Sequence, residues 1–276
     1  MNKLSIDKRK AVVSALVEGT SINSTVRMTG VSKTAILRLI HGLGSACEAY
    51  HHEHVRGLKP ARIQTDEIWA FVGAKAKNVR PEREIEGWGD AWTYTAITDR
   101  KLIIAYRVSQ RSQDDTDAFM LDLAGRITER TQLTTDGHTT YLNAVENAFG
   151  GEVDYAQLVK TFGGSKGEAR TSEAKYSPSR INGARKVGMI GLPARQHIST
   201  SHVERHNLTI RMSMRRFTRL TNAHSKKISY HANAVALFFM YYNFCRMHST
   251  IETSPAVASG LADHVWSLEE LIGLLH

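Results

Sequence analysis

Residues 63–74 read IQTDEIWAFVGA. The alternation of apolar and polar positions predicts a strand, with Asp66 near its middle on the face opposite Glu67. Upstream, the periodicity is helical. Residues 7–18 carry Val12, Ala15 and Leu16 on one stripe that ends at Gly19. A second short helix runs to Gly30, and a third opens at Ser32 with Ala35, Ile36, Leu39 and Ile40 facing inward. Downstream the strand pattern recurs. AWTYTAITD (91–99) and KLIIAYRVS (101–109) predict a hairpin turning at Asp99 and Arg100, residues 114–127 an amphipathic helix, LTTDG (133–137) a short strand, and residues 154–162 a fifth strand. Three strands followed by helix, strand, helix and strand predict an α/β fold with a mixed five-stranded sheet flanked by helices, preceded by an all-α unit.

The expected organisation is a helix-turn-helix unit over residues 1–45, a linker over 46–60 closed by Pro60, a catalytic domain over 61–250, and a tail over 251–276. In a helix-turn-helix the first turns of the last helix face the major groove, which here offers Ser32, Lys33, Thr34 and Arg38. A plain three-helix bundle is the alternative. His51 and His54 have metal-ligand spacing, but exposed histidines in linkers are ordinary and no second pair follows.

Charge is unevenly divided in a chain of 276 residues and net charge +9. Residues 1–60 hold nine Lys/Arg against four Asp/Glu, residues 61–159 hold 11 against 16, residues 160–227 hold 15 against three, and the rest one against four. An acidic middle between basic flanks suits an enzyme that binds a metal and acts on a polyanion. Residues 163–195 combine six glycines, two prolines and seven basic residues, and predict a long basic loop in which Arg180, Arg185 and Lys186 grip phosphates. Two cysteines exclude a disulfide framework and a Cys-rich zinc site. No apolar run has the length of a signal peptide or membrane span, so the expectation is a soluble, cytoplasmic protein that meets no membrane.

A basic helical run over residues 198–218 contains one acidic residue, Glu204, with Asn207, Leu208 and Arg211 on its face. Ser201 stands three residues before Glu204, so a capping box is the bland reading. Asp66, Asp136 and Glu204 lie 70 and 68 residues apart. Neighbouring strands and a packed helix would bring them together as an oxygen-only donor set for a hard cation, Mg²⁺ or Mn²⁺. Two such ions about 3.5–4 Å apart would support in-line phosphoryl transfer on a phosphodiester. Gly137 would let the backbone turn sharply beside them. His138, His202 and His206 lie near the triplet as candidate proton carriers. Glu67, Asp90, Asp99, Asp114, Asp115 and Asp117 are set aside as lying on the wrong strand face, in turns, or at a helix N-terminus.

TDEIWAFVGAK (65–75), QLTTDGHTTYL (132–142), DYAQLVKTFG (154–163), residues 197–227 and HANAVALFFMYYNFCRMHSTIETSPA (231–256) together resemble the DDE-type transposases of bacterial insertion sequences, most closely the subgroup named after the first insertion sequence. The resemblance covers nearly the whole chain. It implies an RNase H-like catalytic fold with Asp66, Asp136 and Glu204 as metal ligands, and Arg211 as the basic residue that follows the glutamate and contacts DNA. Asn207, Arg215 and Arg216 are grouped with it as DNA-binding residues, and His248 also stands in a recognisable position. The implied function is binding of element ends and two-metal strand cleavage and transfer on double-stranded DNA, including target DNA, by a homodimer or larger assembly associated with the bacterial nucleoid. A non-catalytic repressor from a decayed element and a hydrolytic nuclease are the alternatives. Some relatives carry a Cys-rich zinc segment ahead of the helix-turn-helix, which this sequence does not have.

Overall fold

The structure is a computed structural model that describes residues 4–84, 87–163, 180–218 and 222–275. Three helices come first: α1 (Ile6–Val17), α2 (Ile22–Thr29) and α3 (Lys33–His54). The hydroxyls of Ser5, Ser21 and Ser32 accept from backbone amides in the first turns of the three helices, satisfying donors that a helix start leaves open. Gly30 ends α2 in the left-handed region at φ 68°, the conformation that turns the chain into α3.

α3 is a single helix that passes through residue 45, where the sequence suggests a boundary, and continues into the segment expected to be a linker. The reason is a buried stripe at helical spacing, Leu43, Cys47 and His51. His51 is sealed in the interior with Nε2 3.0 Å from the Ile103 carbonyl oxygen, while His54 is exposed and stacks on Tyr50, so the two do not form a ligand pair. Gly44 lets α3 approach its partner α8 (Ile228–Met240) closely, since a Cβ there would stand 2.3 Å from the Asn233 carbonyl oxygen.

The central sheet has six strands, one more than the sequence predicts: β1 (Arg62–Val72), β2 (Gly89–Thr98), β3 (Ile103–Ser109), β4 (Gln132–Asp136), β5 (Asp154–Gly163) and β6 (Arg180–Ile190). Their order is β3-β2-β1-β4-β5-β6, with β1–β4 and β4–β5 parallel and the other pairs antiparallel. This mixed sheet is compatible with the RNase H-like expectation. The sixth strand corrects the basic loop: residues 180–190 pair along β5, and of the expected loop residues 164–179 lie outside the described residues. RINGARKVGMI has little β-propensity, and pairing with β5 holds it in place, with register shifts at Tyr155/Ala156 and Thr161/Phe162.

Helices α4 (Pro81–Glu84), α5 (Gln113–Ala124), α6 (Thr140–Phe149), α7 (Ser201–Ser213), α9 (Pro255–Ala258) and α10 (Leu268–Gly273) complete the fold. α5 buries Thr116, Phe119, Met120 and Leu123, whereas Leu121 is 66% exposed. α8 is buried nearly all round and shares one core with α1, α3 and the sheet. Each of its fully sequestered phenylalanines, Phe238 and Phe239, contributes roughly 1.5–3 kcal/mol relative to exposure. Among the described residues no helix is long and apolar enough to cross a membrane.

Candidate functional site

β1 and β4 are hydrogen-bonded neighbours from Arg62–Gln132 to Gln64–Thr134, and there their pairing stops. β1 continues along β2, and β4 continues along β5 to Asp136, paired with Leu158. Asp66 and Asp136 therefore stand at the fork between two strands from which the sheet is built out to opposite edges, through β2 and β3 on one side and β5 and β6 on the other. Carboxyl ends of strands at such a switch point are where open α/β sheets hold ligands.

A cleft of about 390 Å³ opens at this fork, lined by Asp66, Asp136, Gly137, His138, Leu158, Val159, Lys160, Thr200 and Glu204. The sequence-expected triplet thus lines one cavity. α7 is fastened to β1 beside it, because the Gln64 side-chain oxygen accepts from the backbone amides of His202 at 2.7 Å and Val203 at 3.3 Å. Val203, His206 and Ile210 form the buried stripe of α7, leaving Glu204 and Asn207 to the cleft side.

Asp66 accepts from its neighbour's amide, Glu67 N, at 2.8 Å and from the Asn207 side-chain amide at 2.8 Å. Asp136 accepts from the His138 amide at 3.0 Å. Glu204 Oε1 accepts from the Lys160 ammonium and the Thr200 hydroxyl, so its carboxylate is spent across the cleft rather than in the capping box that its spacing allows. Gly137 is not in the left-handed region expected of a sharp turn. A Cβ there would stand 3.1 Å from Val159 Cγ2, so the glycine serves the close approach of β4 to β5.

The three carboxylates Asp66, Glu67 and Asp136 have oxygens that all lie within 4.8 Å of one another. Burial pushes the Asp66 carboxyl up to about 7, and the charges of Glu67 and Asp136 add to the rise while the Glu67 amide opposes it. Burial also raises Glu67, against the pull of Tyr141 and Arg111. Glu67 is the residue that strand alternation sets aside, and it does not line the cleft, yet one of its oxygens lies close to those of Asp66 and Asp136.

The other expected residues are distributed as follows. Ser32, Lys33, Thr34 and Arg38 form an exposed set at the start of α3. On β6, Arg185 is exposed and Lys186 donates to the Arg195 carbonyl oxygen at 3.0 Å; Arg180 is the first residue of that strand. Asn207 is turned to Asp66, and Arg211 donates to the Phe217 carbonyl oxygen at 3.1 Å, bracing the turn after α7. Arg215 is exposed, whereas Arg216 points inward, donating to Ser225 Oγ and the Tyr230 carbonyl oxygen. Leu208 is 45% exposed.

Of the candidate proton carriers, His138 lines the cleft with Nδ1 2.7 Å from Thr140 Oγ1. His206 is buried among Phe239 and Tyr242, where burial pushes it down to about 3, and it does not line the cleft. His202 is held down by burial, and His248 packs against Tyr242.

No family model matches the chain, and no curated protein matches it. Among solved structures it is similar to a chain of the pre-cleavage Mos1 transpososome, with 10% identity, 56% of this chain and 60% of that chain covered, and a TM-score of 0.24. The chain thus matches less than two thirds of that neighbour's length, and a likeness at this TM-score carries no argument about either fold or function.

Proposed function

We propose that this chain is a DNA transposase of the DDE type, which binds the ends of its own element and cleaves and joins strands there. The observation that carries the reading is the convergence of Asp66, Asp136 and Glu204 on one cleft at the fork of the sheet, with a lysine across it. The donor set is all oxygen, and Asp66 and Asp136, with Glu67 beside them, have carboxylate oxygens within 4.8 Å of one another while Glu204 lines the same cleft, which fits Mg²⁺ or Mn²⁺. Asp66, Asp136 and Glu204 would hold it, and when bound it activates a water or 3′-hydroxyl and stabilises the leaving oxygen of the phosphodiester.

The chain's own residues supply the rest. Asn207 fixes one oxygen of Asp66 and so orients the other face of that carboxylate to the cleft. Gln64 holds the start of α7 and thereby the position of Glu204. Lys160 neutralises Glu204 in the absence of substrate and stands where a phosphate oxygen would enter. The exposed Ser32, Lys33, Thr34 and Arg38 are assigned to base and backbone contacts in the major groove, and Arg180, Arg185, Lys186 and Arg215 to phosphates. Arg211, Asn207 and Arg216 act on DNA indirectly, through the protein groups they hold. Two ends must be held together for joining, so the working form is a homodimer or larger assembly.

The test uses wild type and Asp136→Asn with labelled duplexes from the edges of the protein's own locus, with Mg²⁺ or Mn²⁺ added or withheld. Metal-dependent cuts at a defined end and joined products in the wild type, both lost in the variant while DNA binding persists, are expected. Cuts without joined products turn the reading to a nuclease, and binding without cuts turns it to a repressor.

A further inference from the structure

Glu67 lies on the buried face of β1, with its side chain 1% exposed. Oε2 accepts from Arg111 at 3.1 Å, and the Arg111 guanidinium is itself held 4.7 Å above the ring of Trp92. Oε1 has no hydrogen bond to any described residue. The Tyr141 hydroxyl, also fully buried, lies against this carboxylate and favours its charged form, though outside hydrogen-bond geometry.

Burying a carboxylate with one oxygen unsatisfied is costly, and placing it beside two other carboxylates raises that cost. Beside its ion pair with Arg111, Glu67 has an oxygen within 4.8 Å of oxygens of both Asp66 and Asp136. The juxtaposition follows from the parting of β1 and β4 after Gln64 and Thr134. Through that gap a side chain from the rear face of β1 reaches the same point as one from its front face.

We propose that Asp66, Glu67 and Asp136 form a site for a hard divalent cation, with Oε1 of Glu67 as a donor supplied from beneath the sheet. An octahedral ion with bonds of about 2.1 Å places its ligand oxygens roughly 3–4 Å apart, so a small contraction of this trio closes the site. Arg111 and Trp92 are the positioning residues: they hold Oε2 and leave Oε1 to the ion. This deepens, and rests on, the reading of the cleft as a metal-dependent phosphodiester site, and it makes Glu67 a ligand that the familiar triplet omits.

The test is Mn²⁺ binding by the full chain without DNA, read from the free-ion paramagnetic resonance signal. Wild type, Glu67→Gln, Asp136→Asn and Glu204→Gln are compared. Because Glu67→Gln leaves Arg111 unpaired, an Arg111→Met/Glu67→Gln double variant accompanies it, removing both charges together. Glu67→Gln and the double variant are expected to weaken Mn²⁺ binding about tenfold or more, and Glu204→Gln to weaken it less. Wild-type affinity in the double variant alongside weakened binding by Asp136→Asn overturns the assignment, as does a wild type that binds no Mn²⁺ at millimolar concentration. Strand cleavage that survives with Mn²⁺ affinity independent of Glu67 removes this site and leaves the transposase reading standing. Glu67-dependent Mn²⁺ binding with no strand cleavage does the reverse.

Discussion

Lys160→Met measures how far the ammonium across the cleft takes the place of a metal. Lys160 is 23% exposed and Glu204 44% exposed, so the pair is partly solvated and contributes about 0.2–1 kcal/mol. Methionine keeps most of the apolar stem of the side chain and removes the charge. A cation that must displace the ammonium from Glu204 gains up to that amount when the lysine is absent. At the upper limit this is about a fivefold lower dissociation constant for Mn²⁺. The assay is Mn²⁺ titration without DNA at low and high KCl, where the gain should shrink as salt screens the half-exposed lysine. With DNA, the same variant should lose about one counterion's worth of salt dependence. Unchanged or weaker Mn²⁺ binding in Lys160→Met refutes the idea that the ammonium and the metal compete for one carboxylate.

Three buried histidines, His51, His206 and His231, are pushed down to about 3 by burial, so the unfolded chain takes up protons first as pH falls below about 6.5. Stability is therefore full above that pH and lost below it, by about 2 kcal/mol per histidine between pH 7 and 5; urea midpoints that stay level over that range contradict the burial. Gly44→Ala forces α3 and α8 apart at Asn233 and should cost about 1–3 kcal/mol in thermal melts, whereas an unshifted melt would mean the helices are not that close. Arg185→Ala with Lys186→Ala should flatten the salt dependence of DNA binding by up to about two counterions, and an unchanged slope removes β6 from the DNA path.

That Asp66, Asp136 and Glu204 meet at one cleft was legible in sequence because they sit at recognisable places: mid-strand at Asp66, at a strand end before a glycine at Asp136, and in the first turn of a helix at Glu204. Glu67 was not, because alternation assumes that strands stay paired, and the fork after Gln64 breaks that assumption. β6 was hidden by its glycines and charges, since the information that makes it a strand lies in the partner edge of β5. The segment 46–60 expected as a linker is helical as far as His54, and the burial of Cys47 and His51 within it depends on the sheet lying beneath them, which the sequence alone does not announce. Arg216 illustrates the same limit, since a basic residue in a basic run looks like a DNA contact until its guanidinium is found donating to the Ser225 hydroxyl and the Tyr230 carbonyl oxygen.

The uninterrupted course of α3 has a mechanical meaning. Its 22 residues make a rod of about 33 Å, with Ser32, Lys33, Thr34 and Arg38 exposed at one end and the His51 end clamped to the sheet at Ile103. On the proposed reading of α3 as the DNA reader, such a rod has no swivel, so the offset between a recognised base and the carboxylates is a fixed length, like the throat of a punch. DNA of the right sequence at the wrong spacing would be gripped and left uncut. A cut point beyond that reach would have to be served by the carboxylates of a second copy.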